Sequence, residues 1–369
     1  MASPDVLKYW VGFSSVPGIG RIRISQLIDR FGSLAEAWKA SESELRLAVS
    51  DSRSIDALLL TRSRLSLEAE MEKLARHKVQ AIPCEHPCYP SRLKEIHDYP
   101  PVLYVRGTLP PEGHPCVAVV GTRRPTIYGR QVAEEMAADL ARNDTTIVSG
   151  LARGVDSIAH QSALECGGKT IAVLASGLDI IYPAENLKLA QHIMASGALV
   201  SEYPLGVRPR AENFPLRNRI MSGLSLGVLV VEAGERSGAL ITALQALEQN
   251  REVFAIPGSI LSPTSKGTNR LIQEGAKLVC RCADILEELN LSMVAPRQLE
   301  IKEFAPANEA ESGILEQLSP EPSHIDEICR SSGLTMPQVS STLAMLELKG
   351  VVKRIGNMNY VRSQQARAE

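Results

Sequence analysis

Short runs of valine, isoleucine, leucine and alanine alternate with apolar stripes of helical period through the middle of this chain. Cys116–Val120, Thr146–Ser149, Thr170–Leu174, Ala198–Ser201, Gly227–Glu232 and Glu252–Ile256 are short, nearly continuous apolar runs and read as strands. Between them, Val132, Met136 and Leu140, the segment Ile158 to Leu164, Leu187 to Met194, and Leu240, Leu244 and Leu247 recur at helical spacing. Strands that are apolar on both faces and joined by helices predict a parallel sheet covered on each side, the α/β class. Val102–Val105 predicts one further strand ahead of it.

The two ends of the chain read differently. Residues 1–75 look helical: Val16-Pro-Gly-Ile-Gly20 is followed by Ile24, Leu27, Ile28 and Phe31 on one face, and Gly32-Ser33 stops the helix. A Pro-Gly-Ile-Gly turn between helices resembles the helix–hairpin–helix (SAM-like) module, in which glycines let backbone amides approach phosphate. A small helical bundle packed on the main domain explains the same pattern, since only Arg21 and Arg23 add positive charge. Residues 76–289 then form the core domain, and residues 290–312, rich in Pro, Ala and Glu, suit a linker. In residues 313–363, helical patterns at Gly313–Leu318, Ile325–Ser331 and Met336–Lys349 precede two short strands, Val351–Ile355 and Met358–Arg362. That is a winged-helix outline. Its third helix carries Gln338, Ser340, Ser341 and Glu347 with Lys349 at its end, so protein contact or structural docking competes with groove reading.

Composition narrows the partners. The 369 residues are 44% hydrophobic and 22% charged, with a net charge of −2, so a contact with nucleic acid must come from a local arginine cluster. No apolar run reaches membrane-spanning length, and Asp5 and Lys8 around Val6-Leu7 do not form a signal-peptide layout, which predicts a cytoplasmic protein without a membrane partner. Cys84, His86 and Cys88 lack a second pair at zinc-ribbon spacing, and the seven cysteines read as reduced thiols with no metal.

Familiar chemistries fit poorly. A dinucleotide site needs Gly-x-Gly-x-x-Gly, but the first turn here is Gly121-Thr-Arg-Arg-Pro. Gly168-Lys169-Thr170 precedes a strand, whereas a phosphate loop follows one. Asp156 and His160 lie one helical turn apart without a nucleophile or metal partner, so capping or buried hydrogen bonding explains them better than catalysis. Glu202 and Glu232 close two strands and are expected to orient Arg217, Arg219 or Arg236. No residue is taken as catalytic and no cofactor is expected.

The arginines remain. Arg123 and Arg124 follow the first strand, Arg153 the second, and Arg208, Arg210, Arg217 and Arg219 surround Phe214 after the fourth. Single strands are held by cations tracking the backbone and by aromatic faces under the bases. Aromatics make up only 4% of the chain, which makes Phe214 between Arg210 and Arg217 a candidate stacking residue, with core packing as its structural alternative.

These segments resemble the DNA-processing protein A (DprA, also called Smf) family. The likeness runs through Val119-Val-Gly-Thr-Arg123, Ser149-Gly-Leu-Ala-Arg-Gly-Val-Asp156, Tyr182-Pro183, Ser201-Glu-Tyr-Pro204, Asn213-Phe-Pro-Leu-Arg-Asn-Arg219, Val230-Val-Glu-Ala233 and Gly267-Thr-Asn-Arg-Leu-Ile272. The resemblance implies an extended Rossmann-like fold that binds single-stranded DNA in natural transformation, protects incoming strands, self-associates as a dimer and helps load the recombinase RecA. By motif, it places phosphate-binding turns at Gly121, Thr122 and Arg123 and at Ser149, Gly150 and Arg153, and DNA contacts at Phe214, Arg217, Asn218 and Arg219. Some relatives carry a lysine shortly before the Phe-Pro; here Ala211 and Glu212 stand there, with Arg210 beside them as the substitute cation. The rival class is a nucleotide-processing enzyme of the nucleoside monophosphate hydrolase type. Its Pro-Gly-Gly-x-Gly-Thr-x-x-Glu turn has no match in Glu232-Ala-Gly-Glu-Arg-Ser-Gly-Ala-Leu240.

Overall fold

The computed structural model describes residues 4–291, 308–318, 322–356 and 358–362, and the chain divides into two compact units, Met1–Val294 and Ala295–Glu369. In the first unit, nine strands build one sheet: β1 (Gln80–Pro83), β2 (Val102–Gly107), β3 (Cys116–Val120), β4 (Thr146–Ser149), β5 (Thr170–Val173), β6 (Ala198–Ser201), β7 (Gly227–Val230), β8 (Glu252–Ala255) and β9 (Lys277–Leu278). Their spatial order is β1-β2-β6-β5-β4-β3-β7-β8-β9. Strands β3 to β9 are parallel, with Val117 opposite Ile147 and Val119 opposite Leu229.

The double-sided burial that the sequence predicts is visible residue by residue in β3. Val117 and Val119 pack with Ala133, Met136 and Leu140 of helix Ile127–Arg142, while Ala118 and Val120 face Ile220 and Met221 of helix Asn213–Leu224. The expected strand at Val102–Val105 forms, but it runs antiparallel to β6, Tyr104 lying opposite Ser201. Ahead of it, β1 adds a second antiparallel strand that no apolar run announced.

The N-terminal helices are not a separate body. Trp10, Phe13, Leu27, Leu45, Ile55 and Leu58 share one core with Val102, Tyr104, Leu174 and Leu199 of the sheet region. Ser14 and Tyr104 join their hydroxyls at 2.6 Å across that junction. The Pro-Gly-Ile-Gly hairpin does lead into helix Arg21–Phe31, yet its two arginines are engaged inward. Arg23 pairs with Asp51 at 2.7 Å, and Arg21 lies over the ring of Tyr99 at 4.9 Å.

In the second unit, helices Glu309–Gln317, Ile325–Ser332 and Met336–Leu348 pack against a three-stranded sheet of β10 (Ser323–His324), β11 (Val352–Arg354) and β12 (Asn359–Arg362), ordered β10-β12-β11. Ile314, Ile328, Val339, Leu343 and Leu346 fill its core. This is the winged helix that the pattern predicts. Its first helix begins four residues before the expected 313, because Asn308 caps it through the amide of Glu311, so the end of the expected linker is helical. Residues 292–307 of that linker lie outside the described residues. Among the described residues, no helix is long and apolar enough to cross a membrane.

Candidate nucleic-acid interface

The carboxyl ends of β3 and β4 are built from two turns that lock onto each other. Thr122 donates its amide to the Glu232 carbonyl, and its own carbonyl accepts from the amide of Val155, the first residue of helix Val155–Glu165. Gly154, at φ +75°, is pressed so closely on this turn that a Cβ there would collide with the Thr122 carbonyl oxygen. The interlock places Arg123 and Arg124 on the surface, with Arg153 on the turn beside them.

Above these turns is a recess of about 50 Å³ lined by Arg123, Gly150, Ala152, Arg153, Tyr182, Pro183 and Phe214. It is too small to enclose a nucleobase. The guanidinium of Arg123 sits 5.7 Å from the centroid of Phe214, and the ring of Tyr182 lies 5.8 Å from it, tilted by 60°. Phe214 is half-buried and Tyr182 is exposed, so the cluster combines π faces with a cation. Tyr182, like Glu185 below, was missed as a site residue: its aromatic character was legible, but nothing in the spacing places it beside residue 214.

The other cations are less free than their sequence positions suggest. Arg153 is clamped through Nε and Nη2 by both oxygens of Glu185, each at 2.7 Å. That pairing raises the arginine's pKa and lowers the carboxyl's, both through the shared hydrogen bonds. Arg210 lies 3.6 Å from Glu212 on an exposed loop, and Arg208 is exposed nearby.

Three expected strand contacts lie under the surface. Helix Asn213–Leu224 meets solvent at Phe214, Pro215 and Leu216 and then runs beneath the turns, burying Arg217, Asn218 and Arg219. Arg217 donates Nη1 to the Val173 carbonyl at the end of β5. Asn218 reaches the Gly238 carbonyl at 3.4 Å, and Arg219 pairs with Glu202 at 2.6 Å and Asp98 at 2.8 Å. The expectation that Arg217 and Arg219 open onto the strand mouths is therefore corrected. The apolar Ile220-Met221 that follows them draws this stretch of helix onto the sheet. Ser149 is also buried, its hydroxyl donating to the Val119 carbonyl at 2.6 Å, which ties β4 to β3.

The acid–base candidates have structural occupations. Asp156 accepts the amides of Gly150 and Ala152, and burial raises its pKa against the opposing pull of Arg217. Thr170 donates its hydroxyl to the Ile147 carbonyl, so His160 Nδ1, 2.6 Å from that hydroxyl, must be the donor between them. Burial pushes the pKa of His160 down to about 3, which keeps the ring neutral. Glu202 holds Arg219 as anticipated, and burial raises its carboxyl despite that partner. Glu232 departs from expectation. Its carboxylate takes the amide and hydroxyl of Thr126 and the hydroxyl of Thr264 rather than an arginine. It thereby links the chain after β7 to the turn after β3, where the strand order reverses and α/β folds commonly bind ligands.

Comparison with known proteins places the chain in a family. Residues 80–290 match the family model of DNA recombination-mediator protein A, and residues 303–357 match that of the DprA winged helix domain. The chain is 43% identical over 277 residues to the DNA processing protein DprA of Bacillus subtilis, covering 72% of this chain and 93% of that protein. The crystal structure of DNA processing protein A from Streptococcus pneumoniae superimposes with a TM-score of 0.66 at 37% identity, covering 76% of this chain and 97% of that one. A Helicobacter pylori DNA processing protein A, described for its single-stranded DNA binding mode, gives a TM-score of 0.52 at 32% identity over 58% of this chain and 97% of that one.

Proposed function

This chain belongs to the DNA recombination-mediator protein A (DprA/Smf) family, and from that premise we propose that its sheet domain binds single-stranded DNA across the cleft of Arg123, Tyr182 and Phe214. The observation that carries the reading is the guanidinium of Arg123 set against the Phe214 ring in a recess that Gly150 and Ala152 also line. A phosphate beside Arg123 and a base against Phe214 use that arrangement in full, with Gly121 and Thr122 shaping the turn and Arg153 and Arg210 extending the cationic track. Such binding is salt-dependent and tolerant of sequence, because every base has a π face and every nucleotide a phosphate.

The role is binding rather than catalysis. Asp156, His160 and Glu232 are each held by partners of the fold, which favours a non-enzymatic protein over a nucleotide hydrolase. With family membership as support, we infer that the bound strand is protected and handed to the recombinase RecA during transformation, and that the protein self-associates as a dimer in the cytoplasm. In this reading residues 1–75 and 76–289 cooperate as one body, with residues 313–363 as the appended winged helix.

Titrating fluorescein-labelled dT20 with the full-length protein tests the reading. Tight binding to dT20, weaker binding to a duplex of equal length and a loss of affinity with rising NaCl are expected. Equal affinity for single strand and duplex would overturn it. So would conversion of nucleoside monophosphates to base and sugar phosphate, read by chromatography.

A further inference from the structure

We propose that Arg217 is a buried positioning cation against the lining of the cleft, steadying the turn at Gly150 and drawing a strand phosphate onto it without touching the strand. The inference rests on the single-strand reading above and changes the part this arginine plays in it.

Arg217 is 4% exposed. Its guanidinium is anchored to the Val173 carbonyl and lies directly against Gly150, where an added Cβ would fall inside the guanidinium itself. Gly150 and Ala152 line the recess, so the buried guanidinium lies against the main chain of a residue that borders the place where a phosphate would sit. Glycine at 150 is what lets the cation come so close.

The charge is poorly compensated from below. Among the described residues no carboxylate makes an ion pair with Arg217, and its Nε is buried without a hydrogen-bond partner. Asp156 acts on it through space, but the carboxylate of Asp156 is turned to the amides of Gly150 and Ala152. Arg123, a second cation, also acts on it from nearby. Buried charges in proteins are ordinarily paired, and an interior of low dielectric carries their fields farther than water does. Asp156 therefore offsets the charge of Arg217 through space without pairing with it, which leaves the guanidinium able to act on an anion above Gly150. Burial lowers the pKa of Arg217 to about 10, which leaves it charged at neutral pH.

A direct phosphate contact and a buried positioning charge differ in one measurable respect. Removing a contact releases fewer counterions, so the slope of log K against log[NaCl] falls by about 0.7 for a single strand. Removing a charge that touches no phosphate lowers affinity and leaves the slope alone. The experiment measures binding of dT20 to the full-length protein from 50 to 300 mM NaCl for wild type, Arg217→Met, Arg217→Lys and Arg123→Ala, with folding checked by circular dichroism. Arg217→Met is expected to bind about tenfold more weakly with the wild-type slope, Arg217→Lys to stay within threefold of wild type, and Arg123→Ala to lose affinity and slope together. Should Arg217→Met fail to fold, Arg217→Gln, which still offers an N–H to Val173, is read in its place. Wild-type affinity in the charge-free variant, a slope loss equal to that of Arg123→Ala, or a lysine variant as weak as the charge-free one would overturn the assignment of Arg217 alone. A wild-type protein that ignores dT20 would overturn the single-strand reading as well.

Discussion

The guanidinium of Arg123 rests 5.7 Å from the centre of the Phe214 ring, joining the turn after β3 to the start of a helix far along the chain. With Arg123 and Tyr182 both against the ring, a base can use only the part of the half-buried Phe214 that meets solvent. Stacking a base on an aromatic side chain is worth about 1–3 kcal/mol, or roughly 5- to 150-fold in affinity. Phe214→Ala is expected to weaken dT20 binding within that range. Arg123→Ala should weaken it too, and the double variant should lose less than the sum, because each side chain helps to position the other. Gel shifts with dT20 check this; unchanged affinity in both single variants would remove the cleft from the interface.

Glu185 makes a different prediction. It holds Arg153 by two hydrogen bonds at 2.7 Å on an exposed surface, so a strand phosphate has to compete with a carboxylate for the same fork. Glu185→Gln removes the competing charge and makes Arg153 available. The variant is expected to bind dT20 more tightly than wild type, with a steeper dependence on NaCl. Weaker binding would mean that Glu185 serves to aim Arg153 and does not restrain it.

Fold and site were legible to different degrees, and for physical reasons. Val117 to Val120 could be read as a buried strand because both of its faces are apolar, and the structure divides them between two cores. Strand β1 has no such run: Gln80-Ala-Ile-Pro83 is mixed, and it pairs because β2 offers an edge. At the site, strand ends that stop in glycine and arginine mark where the turns lie, and the resemblance assigns their residues. Which arginines face outward was not legible, since the run Arg217-Asn-Arg219 looks the same on either side of a helix. Only the packing of Ile220 and Met221 against the sheet turns those guanidiniums inward. Glu202 offered the one available hint, as an acid at a strand end able to neutralise a buried arginine, and it does hold Arg219.

His160 gives the protein a pH dependence unrelated to DNA. Its pKa falls from 6.5 to about 3 because the buried ring cannot be charged cheaply. Between those pH values the unfolded chain binds a proton that the folded chain does not. Stability therefore rises with pH through this window and is lost as pH falls below about 6.5. The contribution is at most about 1.4 kcal/mol per pH unit. His160→Gln keeps an N–H for Thr170 and cannot titrate. Melting temperatures from pH 4 to 7.5 should fall less steeply for this variant than for wild type, and the difference between the two curves isolates the histidine from the carboxylates. Parallel curves would show that the ring titrates in the fold as it does in the unfolded chain.

Glu232 ties together the loops on the two sides of the strand-order reversal. One oxygen accepts the Thr126 amide at 2.9 Å, and the other accepts the hydroxyls of Thr126 at 2.6 Å and Thr264 at 3.1 Å. Gly129 leaves it room, since a Cβ at that position would overlap the carboxylate. In Glu232→Ala the amide and both hydroxyls lose their acceptor. Each lost hydrogen bond contributes about 0.5–1.5 kcal/mol, so a drop in melting temperature of several degrees is expected for the variant. The loss should reach the cleft as well, because Thr126 and Arg123 share one turn, and dT20 affinity should fall although Glu232 faces no strand. Thr264→Val, which removes one hydroxyl and leaves the Thr126 bonds intact, should cost less on both counts. If Glu232→Ala melted like wild type, the carboxylate could not be what fixes the turn that carries Arg123.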